Sequence, residues 1–201
     1  MSHLKKFRAA LAEKGADAAI IGSKLNQKYL SDFDFDDGFV LVTKGQSYLI
    51  TDFRYVEAAT EQRNPELEVL MPNIGMLTCM EELLRENGCR KVMIEEKTLS
   101  FADYGKYSEK LTGMELCPGA SALLEELRLY KDEKELETMA RAQAVTDAAF
   151  AHILNFIKPE MTEIEVALEL EFFMRRNGAD GLAFDTIAIS GTTSSRPHGV
   201  P

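Results

Sequence analysis

Two β-prone runs, GFVLVT at 38–43 and SYLIT at 47–51, face each other across Lys44-Gly45-Gln46. No other segment constrains the fold as much. Runs rich in Val, Ile, Leu and Tyr joined by a short Gly-containing turn make an antiparallel hairpin. The flanking segments alternate between helical and strand signals. Leu4, Phe7, Arg8 and Leu11 line one helical face, with Gly15 as a stop. Ala18 to Gly22 reads as a buried strand and Asn26 to Leu30 as a short helix. Beyond the hairpin the order is helix 54–62, strand 67–71, helix 76–86, strand 91–95, helix 101–111 and strand 114–117. A hairpin set among such units predicts a mixed sheet with helices packed on it, an α/β fold. About 120 residues suffice for an independent core.

The pattern changes after Pro118-Gly119. Residues 120–129 read as a bridging helix, and Asp132-x-x-Glu135 as a capping box opening a long helix to Ile157. Its expected buried stripe is Leu136, Met139, Ala140, Ala144, Ala148, Ile153 and Ile157, and Pro159 ends it. Thr162-x-x-Glu165 opens a second helix, closed by Asn177-Gly178, with Ile164, Ala167, Leu168, Phe172 and Met174 as its buried candidates. Phe184 to Ser190 reads as a strand running into the loop Gly191 to Pro201. No later strand follows to pair with it, so the chain is expected to end inside a second domain. The expected division is 1–125 and 126–201.

A formal net charge of −10, from 33 acidic and 23 basic residues, argues against nucleic acid as a partner. No apolar run approaches the roughly 18 residues of a membrane span, and MSHLKKFRAALAEKG is too polar for a signal peptide. Cys79, Cys89 and Cys117 are odd in number and form no CxxC pair. They read as structural thiols in a reducing, cytoplasmic setting.

His198, between Pro197 and Gly199, is the histidine placed best for chemistry. Proline fixes the backbone before the imidazole and glycine permits close approach behind it. The residues alone leave two readings open: a proton donor or substrate-orienting group, or an exposed loop histidine. His152 reads as a helix-surface or satisfied core histidine, and His3 as solvated. Asp34-Phe35-Asp36-Asp37 lacks EF-hand spacing and reads as a solvated turn rather than a cation site. Ser194 and Ser195 lie near His198, but without a Gly-x-Ser-x-Gly elbow or a defined acid partner they carry no nucleophile.

Several stretches together resemble the Xaa-Pro aminopeptidase and Xaa-Pro dipeptidase (prolidase) family, with its creatinase-type N-terminal domain. They are Asn26 to Ser31, Thr51 to Tyr55, Leu127 to Glu135, Thr146 to Phe150, Lys158 to Glu163, Phe184 to Ile187 and Ser190-Gly191…Pro197-His198-Gly199. Their order and spacing cover nearly the whole chain. The resemblance implies a creatinase-like domain with a mixed sheet, followed by a linking helix and the first helices and strand of a truncated pita-bread α+β metallopeptidase domain. It implies a peptidase of proline-containing peptides, a homodimer, and two divalent metal ions, manganese or cobalt, in the full-length enzyme.

His198 matches the family's Pro-His-Gly histidine, which implies a catalytic, substrate-binding role. The family's metal ligands, two Asp, one His and two Glu, would all lie after Pro201. The fragment is therefore expected to hold no metal and to be inactive alone. Arg54, Tyr55 and the loop Asp32–Asp37 would shape the substrate entrance. Arg196 stands where Leu is common in the family, and Thr192-Thr193 where Pro-Asn is usual. Two rival readings differ in class: a stand-alone creatinase-like assembly domain without enzymatic activity, and a relative with another substrate, such as a creatinase-type amidinohydrolase or a pseudoenzyme.

Overall fold

The computed structural model describes every residue from Met1 to Pro201, in two units, Met1–Tyr130 and Lys131–Pro201. The first unit holds helices α1 (His3–Glu13), α2 (Lys24–Ser31), α3 (Val56–Gln62), α4 (Met76–Glu86), α5 (Phe101–Lys110) and α6 (Ala120–Leu129). It also holds strands β1 (Ala18–Ile21), β2 (Gly38–Thr43), β3 (Ser47–Thr51), β4 (Glu68–Leu70), β5 (Lys91–Ile94) and β6 (Glu115–Pro118). The strands form one sheet in the order β4-β3-β2-β1-β5-β6. The β2–β3 hairpin and the β1–β2 pair are antiparallel, and the remaining pairs are parallel. The mixed sheet implied by the hairpin is therefore present.

Both faces of this sheet are covered, which explains why its central strands read as continuous apolar runs rather than alternating ones. Period-two geometry sends neighbouring residues to opposite layers. Ala19, Ile21, Val40 and Val42 pack with Leu4, Phe7 and Leu11 of α1 and Leu123 and Leu124 of α6. Ala18, Ile20, Phe39 and Leu41 pack with Met80, Leu83 and Leu84 of α4 on the other side. A one-residue slip of β1 or β2 would exchange the two layers, so the register is fixed by packing on both faces at once.

Asp17 ties three strand ends together. Its carboxylate accepts from the Arg90 and Lys91 backbone N–H groups at 3.0 and 2.9 Å and from Lys44 Nζ at 2.5 Å. The Lys44 hydrogen bond, then the two backbone bonds, hold its pKa down at about 2, against about 3.9 in an unfolded chain. A depressed carboxyl pKa stabilises the fold above the unfolded value, and that contribution disappears as pH falls through the folded value. With the side chain 24% exposed, Asp17→Asn is expected to cost about 1–2 kcal/mol at pH 7 after allowance for screening. Urea midpoints of variant and wild type should converge between about pH 4 and pH 2; a gap that persists below pH 2 would contradict this account.

The second unit contains α7 (Glu133–Phe156), α8 (Glu163–Arg176) and a short 3₁₀ turn at Gly191–Thr193. Both predicted capping boxes are formed, by Asp132 with Glu135 and by Thr162 with Glu165. The expected burial is largely absent. Of the proposed α7 stripe only Ile153 is buried, with Ala149 beside it, while Leu136, Met139 and Ile157 are exposed. On α8 Ala167 is buried, but Ile164, Leu168 and Phe172 are exposed. The helical period is right, yet two helices cover each other along one narrow seam and leave their other apolar rows open.

Phe184 to Ser190 is likewise not a strand. All six strands of the structure lie in the first unit, so this run has no ladder partner within its own. Its β propensity goes unused because a strand is defined by pairing, not by sequence.

Candidate functional site

The loop carrying His198 is built from overlapping turns. Backbone N–H groups of Thr193, Ser194, Arg196 and Gly199 donate to the carbonyls of Ser190, Gly191, Thr193 and Arg196. The turns overlap or meet end to end from Ser190 to Gly199, so the loop is continuously hydrogen-bonded up to the residue after His198. The loop is anchored at both ends. At its start, Oε1 of Glu163, the first residue of α8, accepts from Ser190 N at 2.5 Å and from the Ser190 hydroxyl at 3.4 Å, while the Thr193 hydroxyl donates to the Ser190 carbonyl at 2.9 Å. At its end, Gly199 lies against Ile189, where an added Cβ would sit 2.7 Å from Cδ1 and 2.8 Å from Cγ2. The β-branched Ile189 has little rotamer freedom with which to yield. His198 itself is exposed.

The segment leading into this loop forms one wall of an open groove of about 1810 Å³, lined by Ala149, Ile153, Val166, Leu170, Phe184 and Ile187 among others. Its lining is chiefly apolar because it collects the inner rows of α7 and α8 and the unpaired run 184–190. Within Lys131–Pro201 no three histidine, cysteine or carboxylate side chains converge closely enough to share an ion.

The other histidines have structural tasks. His152 Nε2 lies 2.6 Å from Glu169 Oε1, and its ring stacks on Phe173 with centroids 4.3 Å apart. It is the satisfied helix histidine expected of it. His3 corrects the expectation of solvation: its ring stacks on Tyr29 at 4.0 Å, and Nδ1 lies 3.2 Å from the Tyr29 carbonyl oxygen. A position in the first turn of a terminal helix looked exposed, but α2 packs across it.

The residues expected at a substrate entrance do come together, within the first unit. Arg54 donates to Asp37 at 2.6 Å and to Asp52 at 2.5 Å, while Tyr55 Oη lies 3.5 Å from Asp36. Lys24 pairs with Asp36 and Lys28 with Asp34. These hydrogen bonds hold the Asp34 and Asp52 carboxyls below, and the Arg54 guanidinium above, their ordinary values. The Asp32–Asp37 loop is thus an ion-paired surface turn.

The cysteines are all free, and burial pushes each thiol up, Cys89 to about 11. Raised thiol pKa values disfavour the reactive thiolate, as structural thiols require.

Sequence reasoning missed two carboxylates. Glu163 was visible as the Glu of Met161-Thr162-Glu163, but only the fold places it against Ser190. Glu95 was read as a strand end, yet it is 3% exposed and takes hydrogen bonds from Gly22 N, Ser23 N, Ser23 Oγ and Asn26 Nδ2. It stands in the wall of a smaller cavity of about 310 Å³ at the carboxyl ends of β1 and β5. Its lone pairs are engaged by the protein itself, so its task there is structural. The sequence signal for either residue is slight: an acidic side chain directly beside an apolar run or a helix cap.

Comparison with known proteins extends over the whole chain. Residues 3–130 match the Creatinase/Prolidase N-terminal domain, and residues 137–201 match Metallopeptidase family M24. An uncharacterized peptidase of Bacillus subtilis, YqhT, is 36% identical over 98% of this chain and 55% of its own length. The Xaa-Pro dipeptidase of Pyrococcus horikoshii is 28% identical over 98% of this chain and 54% of its own. Among solved structures, an Xaa-Pro dipeptidase from Bacillus anthracis superposes with a TM-score of 0.91 at 38% identity, covering 98% of this chain and 55% of that one. The chain spans about half the length of the curated relatives it matches. Its mixed six-stranded sheet, the run of M24-like sequence behind it and these similarities together show that the chain belongs to the creatinase/prolidase family of peptidases.

Proposed function

We propose that the chain is the N-terminal portion of a metal-dependent Xaa-Pro peptidase, which hydrolyses the peptide bond before proline. The observation that carries this reading is the 0.91 TM-score to an Xaa-Pro dipeptidase at 38% identity, continuous across the two family segments. The substrate is a proline-containing peptide. In the full-length enzyme two divalent ions, manganese or cobalt, would supply water activation and Lewis acidity. A cytoplasmic homodimer belongs to the same reading, and the three free thiols fit a reducing compartment.

His198 contributes by offering an imidazole N–H to the substrate from the Pro-His-Gly loop. A histidine held between a fixed-φ proline and a glycine presents its ring with little backbone freedom to lose on binding.

The test is hydrolysis of Xaa-Pro against Xaa-Ala dipeptides by the full-length reading frame, with manganese or cobalt added. The expected result is selective cleavage before proline, no turnover by the 201-residue chain, and a loss of about 100-fold in kcat/KM for His198→Ala. Equal cleavage of both dipeptides, or turnover by the short chain, would refute the reading.

A further inference from the structure

We propose that Glu163 is the positioning residue for His198: its carboxylate latches the Ser190–Gly199 loop to α8 and so fixes where the imidazole stands. The inference rests on the catalytic reading of His198 given above, but its structural half stands independently.

Two glutamates lie two residues apart at the start of α8 and do different things. Glu165 closes the capping box, accepting from Thr162 N at 2.7 Å and Thr162 Oγ1 at 2.8 Å. With the helix end already satisfied by its neighbour, Glu163 has no local task. It reaches instead across 27 residues of sequence to Ser190 N at 2.5 Å and to the Ser190 hydroxyl at 3.4 Å. The Ser190 amide and hydroxyl on one carboxylate oxygen make a charge-assisted clamp, stronger than a neutral contact. Glu163 is half-buried beside the groove.

The clamp holds Ser190, the first acceptor in the series of turns that ends at Gly199, and the Thr193 hydroxyl closes on the Ser190 carbonyl at 2.9 Å. At the other end Gly199 is pressed on Ile189, the residue immediately before the clamp. Both ends of the His198 loop are therefore referred to the same short stretch, Ile189-Ser190, and that stretch is referred to α8 by Glu163. A loop closed on itself and tied to a helix at one carboxylate moves as a unit, and a displacement of about 1 Å at a reacting group can cost about 100-fold in rate.

Two experiments separate this inference from the functional reading. In the 201-residue chain, amide exchange at Ser190 is followed by NMR for wild type, Glu163→Ala and Glu163→Gln. Glu163→Ala is expected to speed exchange at Ser190 by about tenfold or more while the α8 interior keeps its protection through Glu165. Glu163→Gln, which keeps an acceptor oxygen, should fall between. Unchanged exchange at Ser190 in Glu163→Ala overturns the latch.

In the full-length reading frame, Glu163→Ala should lower kcat by about 10- to 100-fold with KM nearly unchanged, with partial rescue by Glu163→Gln. The double variant with His198→Ala should be no slower than His198→Ala alone, because a residue acting through His198 has nothing left to position. Additive losses would overturn the positioning role even if the latch is real. Wild-type enzyme without Xaa-Pro turnover would defeat the functional reading, and Ser190 exchange would still decide the latch.

Discussion

Alanine at position 38 is expected to cost the first unit about 3–5 kcal/mol, enough to unfold a domain of ordinary stability. Gly38 opens β2 with φ +144°, where an L side chain is strained, and an added Cβ would sit 2.1 Å from the Ile50 carbonyl oxygen. That oxygen is backbone of the paired strand β3 and cannot swing aside. Phe35 blocks the remaining space at 2.9 Å. Backbone strain of about 1–3 kcal/mol adds to an overpacking cost of about 1–3 kcal/mol. The displacement would also disturb the Gly38 carbonyl, which accepts from Gln27 Nε2 at 2.9 Å. Gly45, in the turn of the same hairpin, has nothing within 4 Å of its added Cβ, so Gly45→Ala should stay within about 1 kcal/mol of wild type. Urea unfolding of the two variants side by side gives the contrast. Equal midpoints for both would mean that the hairpin entry is far more compliant than its geometry indicates.

Glu95→Ala is the second large effect, expected at about 2–4 kcal/mol because removing a buried carboxylate takes the acceptor from four donors at once, of which Asn26 Nδ2 is buried. The carboxylate takes the Gly22 and Ser23 backbone N–H groups at 2.7 and 2.8 Å, the Ser23 hydroxyl at 2.6 Å and Asn26 Nδ2 at 2.7 Å. Those groups lie where β1 passes into α2. Ser23 occupies the N-cap of α2 but makes no side-chain cap bond, because its hydroxyl is committed to Glu95. Glu95 therefore ties the entry of α2 to the end of β5, through the Gly22–Ser23 backbone and the Asn26 side chain. Asn26 in turn accepts from Arg128 at 3.3 Å, which carries the network to α6. Glu95→Gln, which keeps one acceptor but turns an amide N–H₂ toward donors, should cost less than Ala but more than about 1 kcal/mol. Denaturation midpoints and amide exchange at Gly22 and Ser23 test this. Wild-type protection at those two amides in Glu95→Ala would show that the donors find other acceptors.

The first unit was legible in detail for a physical reason. Its strands are short, apolar and bounded by glycine and polar turns, and its helices carry their own stops, so local preference and tertiary packing agree. The hairpin at 38–43 and 47–51 and the helices at 76–86 and 120–129 fall where the sequence puts them. In the second unit the same reasoning found the helices and both caps but erred on burial. Leu168, Phe172 and Ile157 carry the correct period for a buried face, and periodicity alone does not name the surface that would cover it. The run 184–190 failed as a strand for the same reason.

The candidate site divides along that line. His198 was found from sequence because proline and glycine on either side of a histidine are a local signal. Glu163 was not, because its role depends on a contact across 27 residues. Glu95 was missed because its donors lie more than 60 residues away in the chain. By itself the sequence determined what is local: helix caps and stops, the hairpin and its turn, the apolar runs and the loop that presents an imidazole. Only the tertiary structure decided which carboxylates serve the scaffold, because a carboxylate acquires its role from donors brought to it by folding, and no spacing along the chain encodes which backbone N–H will arrive.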